Sequence, residues 1–322
     1  MPTYRRPSYL RLALASAVGQ TYRNLQIIVR DNASGDETPE VVRSFGDARI
    51  EFLQSPATGT AWENGTECLK RIKGKYMVPL CDDDIFGDNY IETLIPFLEN
   101  DSTVLAAYGA TYVIDETGAV TRKCVPEGTV TWQAGDIVRA WHEGTLPLAS
   151  GINYVCPTSF ILDLGDKHCF PDGHHSDNAI FMAAGIRGKV VFTDRCIFYY
   201  RVYSGNSQRK HPCQLRAKGD IAFLAFLDAE VDSQSNVGLC QAEWPGLRRT
   251  LQAMFASNYF HHLRRFRMDK DSLMELLCDA TIWPSQAYGL RNTLKGLRQT
   301  RKSLMHASWH RVRFGPHKVS QC

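Results

Sequence analysis

Up to about residue 207 the apolar residues alternate between short β-branched runs and longer stretches at helical spacing; beyond that point only the helical spacing persists. Residues 25–30, 50–53 and 76–81 read as buried strands, and residues 37–45 and 59–72 as the helices that follow the first two. Ahead of them Ser8 is placed to cap a helix whose apolar face carries Tyr9, Leu10, Leu12, Ala13, Leu14, Ala17 and Val18. This order of strand, polar turn and helix predicts βαβ units and a mostly parallel sheet flanked by helices, with functional loops along one edge. Residues 104–114 read as a longer strand closed by the turn Glu116-Thr117-Gly118, residues 134–142 as a helix and residues 151–160 as a loop entering a strand. A helix at 178–186 and two strands at 189–193 and 196–203 follow, ending at Ser204-Gly205-Asn206-Ser207. The rest is helical, at 215–229, 247–266, 272–281 and 290–305, so the chain divides into an α/β unit, 1–207, and an α-helical extension, 208–322.

Composition changes this picture little and charge changes it more. The 322 residues are 44% hydrophobic and 22% charged, ordinary for a globular chain able to bury a sizeable core. The net charge of +3 conceals a split: 14 basic against 4 acidic residues from Pro245 onward, and 23 against 30 before it. A basic tail, with Arg264-Arg265-Phe266-Arg267, Trp283 and Trp309, suits either peripheral contact with an anionic membrane leaflet or a solvated helix pair packed on the α/β unit; no nucleic-acid recognition module accompanies it. The ten cysteines form no Cys-x-x-Cys pair and no secretory signal is visible, which points to reduced thiols in a cytoplasmic setting. No run approaches the ~18 apolar residues of a spanning helix.

The chemistry centres on Asp82, Asp83 and Asp84, which follow the run Tyr76–Cys81. Three adjacent carboxylates repel one another, and at a strand end in an α/β sheet they suit a divalent Mg²⁺ or Mn²⁺ whose other positions take phosphate oxygens. The alternative is an acidic turn that caps the next helix, with Asp88 and Asn89 opening residues 90–98. His168, Cys169, His174, His175 and Asp177 also raise zinc, although their spacing fits no common structural pattern.

Taken together, Pro2-Thr3-Tyr4-Arg5-Arg6-Pro7, Gln20-Thr21-Tyr22-Arg23-Asn24, Ile27-Ile28-Val29-Arg30-Asp31-Asn32-Ala33-Ser34-Gly35-Asp36, Gly74-Lys75-Tyr76 and the aspartates resemble family 2 glycosyltransferases of the GT-A (Rossmann-like) fold, from residue 2 to about 207. The resemblance implies transfer of a sugar from a nucleotide-sugar donor, UDP-linked, to an acceptor hydroxyl on a glycan or lipid-linked acceptor, with inversion and a divalent metal, in polysaccharide or glycoconjugate synthesis. It implies that Thr3, Tyr4 and Arg5 cradle the nucleotide, that Asp31 accepts the N–H of the base, and that Asn64 stands beside the sugar. Asp83 falls on the metal-binding position, and Asp82 or Asp84 supplies the second contact, to ribose or metal; Cys81 takes the family's first acidic slot. Asp177, preceded here by Ser176, matches the catalytic base, Arg201 faces the diphosphate, and Tyr203 stands where the family carries a His. The apolar strand that precedes the Pro-Thr-Tyr loop in the family is missing ahead of Met1, so either the true start lies upstream or the sheet has a gap. A nucleotidyltransferase and a non-catalytic sugar-nucleotide-binding relative are the alternatives.

Overall fold

In the computed structural model the described residues are 1–143, 145–146, 153–168, 170, 173–203, 213–234 and 238–265. The expected helices at 272–281 and 290–305, the side chains of residues 264–267, Trp283, Trp309, Cys169 and residues 204–207 lie outside them.

The chain opens with β1 (Pro2–Thr3), which pairs parallel with β2 (Ile27–Asp31), itself parallel to β3 (Ile50–Gln54). Residues 2–3 are thus the strand segment in front of the loop, and the N-terminal ammonium donates to the Ile28 carbonyl. Helix α1 (Pro7–Val18) starts on Pro7, whose fixed φ suits the first helical position; Ser8 lies inside the helix, and no side chain caps its start. After α2 (Thr38–Arg43), the Thr60-x-x-Glu63 pattern forms a reciprocal capping box that starts α3 (Ala61–Leu69).

The second sheet is mixed, which corrects the mostly parallel expectation. Its order is β4 (Tyr76–Met77), β9 (Tyr154–Pro157), β6 (Val104–Ile114), β10 (Lys189–Arg201), β5 (Ile85–Phe86), with β7 (Val120–Cys124) beside β6 and β8 (Thr129–Trp132) beside β10. Only β6 and β10 run parallel in it. The antiparallel strands β7 and β8 come from the stretch whose pattern did not resolve, because they are short and largely exposed on their flanks. Of the strand expected at 76–81, residues 78–81 enter no ladder.

The strands expected at 189–193 and 196–203 are one strand, β10, with a register shift against β6 between Thr193 and Ile197. This bulge presses the Cys196 carbonyl and thiol over Gly109, where an added Cβ would meet them at 2.6 and 2.7 Å. Tyr90 of α4 (Tyr90–Asn100) fills the same spot; its buried hydroxyl accepts from Gly109 N at 3.1 Å and donates to the Asn153 carbonyl.

Both faces of the second sheet are covered, so β6 reads as a continuous apolar run. Tyr108, Phe192 and Tyr154 pack with Phe181 and Ala183 of α7 (Ser176–Arg187) and Ile137 of α5 (Asp136–His142). Phe223, Leu227, Leu251 and Phe255 of α8 (Cys213–Ser233) and α9 (Gly238–Arg265) join the same core. On the other face Leu10, Leu14, Val29, Tyr90 and Phe198 form a second core. Helix α6 (Thr158–Leu164) and a 3₁₀ turn at Gly165–His168 complete the elements among the described residues. Among the described residues no helix is long and apolar enough to cross a membrane.

Gly109→Ala is expected to cost about 1–3 kcal/mol, because the obstructing carbonyl belongs to the backbone of β10. Urea unfolding should show a lower midpoint with an unchanged slope.

Candidate active site

The aspartate triplet lies between β4 and β5, and all three side chains are buried: Asp82, Asp83 and Asp84 are 5%, 8% and 1% exposed. Carboxylates can be held there only with donors around them. Asp82 Oδ2 accepts from Thr3 Oγ1 at 2.8 Å and Tyr4 N at 3.3 Å, and Asp82 Oδ1 accepts from Arg6 at 3.2 Å. The same Arg6 nitrogen donates to Asp83 Oδ2 at 2.9 Å, and the Tyr203 hydroxyl reaches that oxygen at 3.2 Å. Asp84 Oδ1 accepts from Arg201 N at 2.8 Å, while Asp84 Oδ2 is buried with no partner. Burial, only partly offset by Arg6, pushes the Asp82 carboxyl up to about 6. Burial and then the neighbouring Asp83 charge hold Asp84 well above the usual carboxylate range.

Two expectations are corrected here. Arg201 does not face a diphosphate. It is 1% exposed, its Nε donates to the Asp83 carbonyl at 2.8 Å and its NH1 to the Asp115 carbonyl at 2.9 Å, and its guanidinium lies 4.7 Å from the centre of the Tyr9 ring. It braces the triplet from beneath. Asn64 likewise does not stand open beside a sugar: its amide donates to the Thr3 and Arg30 carbonyls at 3.3 and 3.1 Å and accepts from Arg30 NH1 at 2.5 Å. It stitches α3 to β1 and β2. Asp82, with both oxygens engaged, anchors the Thr3-Tyr4 loop more than it offers a free acceptor.

At the end of β2, Asp31 is 1% exposed and its Oδ1 accepts from Ser34 N at 3.1 Å and from the Ser34 hydroxyl. Asp31 Oδ2 makes no hydrogen bond among the described residues. Arg5, at φ 52°, donates its backbone N–H to Ser34 Oγ at 2.9 Å, which ties the loop after β1 to the loop after β2. Tyr4 and Arg5 stack on each other above this seam.

Asp177 lies in the first turn of α7, and its Oδ1 accepts from Asn178 N at 2.8 Å. Its position relative to the triplet is marked by two reporters. The Cys81 thiol is raised well above its usual range, by burial first and then by the carboxylates of Asp84, Asp83, Asp82 and Asp177. The Tyr200 phenol is pushed up to about 12 by burial and then by Asp84, Cys81, Asp83 and Asp177. Asp177 is thus among the charges that act on both groups, after burial and the triplet itself.

Several residues in this arrangement were not singled out for these roles from the sequence. Ser34 and Arg6 were visible only as parts of motifs, and Tyr203 only as a departure from the family's His; each acquires its role from a partner 29 to 120 residues away. Of the residues that raised zinc, His168 is buried against the Trp62 ring, whereas His174 and His175 meet Asp220 of α8 instead of Asp177.

A divalent cation fits the triplet. Cys81 Sγ and one oxygen each from Asp83 and Asp84 lie within 4.8 Å of one another, and Asp84 Oδ2 is buried without a hydrogen-bond partner. Two hard carboxylates suit Mg²⁺ or Mn²⁺, whereas the soft thiol of Cys81, raised well above its usual range, does not, so Asp83 and Asp84 would hold such an ion.

Residues 1–147 match the model of the family described as "Glycosyl transferase family 2". An "Uncharacterized glycosyltransferase" of Rickettsia felis is 31% identical over 175 residues, 51% of this chain and 27% of that protein, so the match spans about a quarter of that relative's length. A "UDP-Glc:alpha-D-GlcNAc-diphosphoundecaprenol beta-1,3-glucosyltransferase", WfaP of Escherichia coli, is 26% identical over 59% of this chain and 71% of its own. Among solved structures, S. aureus TarS 1–349 in complex with UDP-GlcNAc superposes with a TM-score of 0.57 at 13% identity, covering 95% of this chain and 90% of that one, which establishes the shared GT-A fold.

The raised Asp82 carboxyl carries a signed pH effect. A folded-state pKa of about 6 against an ordinary 3.8 means that the folded protein holds this proton more tightly. Its stabilisation is complete below about pH 4 and is lost as pH rises through about 6. Measured by urea unfolding in chelator, the wild type should lose about 2–3 kcal/mol between about pH 4 and 7 relative to Asp82→Asn, which cannot titrate.

Proposed function

We propose that the chain is a member of glycosyl transferase family 2, whose model matches residues 1–147, and that it transfers a sugar from a UDP-linked donor to an acceptor hydroxyl with inversion at the anomeric carbon. The observation that supports this reading most is the buried triplet itself, with Asp83 and Asp84 oxygens close together and Asp84 Oδ2 unpartnered, in the part of the chain that matches the family model. A base and a cation-holding station around one region are what inverting transfer requires on opposite faces of the sugar.

In this reading Asp31 uses its remaining oxygen, Oδ2, to accept the base N–H, and the seam of Thr3, Tyr4, Arg5 and Ser34 forms the floor beneath the nucleoside. Asp82 and Asn64 hold that floor in place through Thr3. Asp83 and Asp84 would hold Mg²⁺ or Mn²⁺, which when bound supplies positive charge against the departing diphosphate. Arg6, already spanning Asp82 and Asp83, shares that charge balance, and Tyr203 orients the Asp83 oxygen through its hydroxyl. Asp177 takes the proton of the acceptor hydroxyl as that oxygen attacks; nothing else is asked of it, so its loss should spare donor binding. The acceptor is proposed to be a glycan or lipid-linked glycan in surface polysaccharide synthesis; the E. coli relative acts on a diphosphoundecaprenol-linked sugar.

Asp177→Asn should lower turnover by about 10²–10⁴-fold while donor affinity in titration calorimetry stays within a few-fold. Equal losses in both would remove the base assignment. Chelation should suppress nucleoside diphosphate release by the wild type and Mn²⁺ restore it; release of pyrophosphate instead would mark a nucleotidyltransferase.

A further inference from the structure

Immediately ahead of Asp177, His174 and His175 turn toward α8. His175 Nε2 lies 2.7 Å from Asp220 Oδ1, and His174 Nε2 lies 3.3 Å from the same oxygen. One ring nitrogen from each histidine and a carboxylate oxygen fall within 4.8 Å of one another. The Asp220 side chain is 6% exposed and those of the histidines 20% and 13%, so the cluster is recessed but open on one side. His175 packs on Phe223 and Phe255, with ring centres 4.8 and 5.0 Å away, which supplies an apolar surround. Its other nitrogen, Nδ1, faces the Asn178 side-chain amide at 3.2 Å.

Two local features bring the rings together. His175 sits at φ 67°, a left-handed conformation that a non-glycine residue adopts at a cost, and its ring centre lies 4.0 Å from that of His174. Residue 219 is glycine, and a Cβ there would come within 2.8 Å of the His174 ring. The close approach of α8 thus depends on the missing side chain.

We propose that His174, His175 and Asp220 form a binding site for a borderline transition-metal ion of the Zn²⁺ type, distinct from the aspartate triplet, with three protein ligands and a fourth position open to water. Two imidazoles and one carboxylate are the donor set that Zn²⁺ takes and that Mg²⁺ does not favour. Tetrahedral Zn²⁺ with bonds of about 2.0–2.1 Å sets its ligand atoms about 3.3 Å apart, the separation already present between His174 Nε2 and Asp220 Oδ1. The His175 contact is a hydrogen-bond length and opens by roughly 0.6 Å when the ion takes the place of the shared proton. That proton moves from Nε2 to Nδ1 of His175, where the Asn178 amide, turned to present its oxygen, accepts it and holds the ring in the ligating tautomer. The bound ion would fasten the segment just before Asp177 to α8.

The test uses the full chain, stripped with chelator and titrated with Co²⁺. The expected result is a visible d–d band of low-coordinate Co²⁺ that saturates at a single equivalent, is displaced by Zn²⁺ and persists in Asp83→Asn. His174→Asn and Asp220→Asn should each abolish the band, and Asn178→Ala should weaken Zn²⁺ binding about 10–100-fold. Melting in chelator checks that each variant is folded. If one is not, imidazole ¹⁵N NMR of the wild type decides, since Zn²⁺ should shift the Nε2 resonances of these two histidines. No visible band, a band that survives Asp220→Asn, a band lost in Asp83→Asn, or Nε2 resonances unmoved by Zn²⁺ would each overturn the proposal.

Discussion

The burial of three consecutive carboxylates is the constraint on which the site depends. Asp82, Asp83 and Asp84 are each less than a tenth exposed, and a carboxylate taken out of water without a partner costs several kcal/mol. Arg6 answers from one side by spanning Asp82 and Asp83. Arg201 answers from below, through backbone and guanidinium bonds to Asp84 and to the Asp83 carbonyl. The compensation is incomplete, since Asp82 and Asp84 are both raised and one Asp84 oxygen has no partner. A site held in this state has an unmet demand for positive charge, which a divalent cation would satisfy.

Chain connectivity links the two halves of the proposed site. Helix α7 carries Asp177 in its first turn and runs directly into β10, which ends at Arg201. One helix–strand unit therefore delivers both the candidate base and the arginine under the triplet. The bulge in β10 over Gly109 sets the register of the second half of that strand, and with it the height at which Arg201 meets Asp84. On the opposite side, Thr3, Asp82 and Asn64 link β1, the triplet and α3 into one hydrogen-bonded chain.

Two departures from the family pattern acquire physical content here. Tyr203 takes the place of a histidine and donates its hydroxyl to Asp83 while packing edge-on against Tyr9. Cys81 takes the place of an acidic residue, and burial first, then the surrounding carboxylates, hold its thiol well above the usual range. Each substitution removes charge or a metal-binding nitrogen from a region already crowded with negative charge.

The residue order alone determined the family resemblance, the βα alternation through β3 and α3, the long strand β6, the helices α5, α7, α8 and α9, and the acidic residues around which the site forms. Those signals are local: a 2-residue or 3.6-residue periodicity and an unbroken apolar run. Tertiary structure decided the rest. That Arg201 and Asn64 are spent on internal bonds, that Arg6 reaches two aspartates, and that Asp220 meets His174 and His175 all depend on pairings 34 to 118 residues apart. The mixed order of the second sheet was hidden for a related reason: strands of two to five residues with exposed flanks carry too little periodicity to reveal their partners or direction. A sequence can display which residues are able to bind or to react, but whether their hydrogen-bonding groups remain available is settled only when the fold has assigned every buried polar atom its partner.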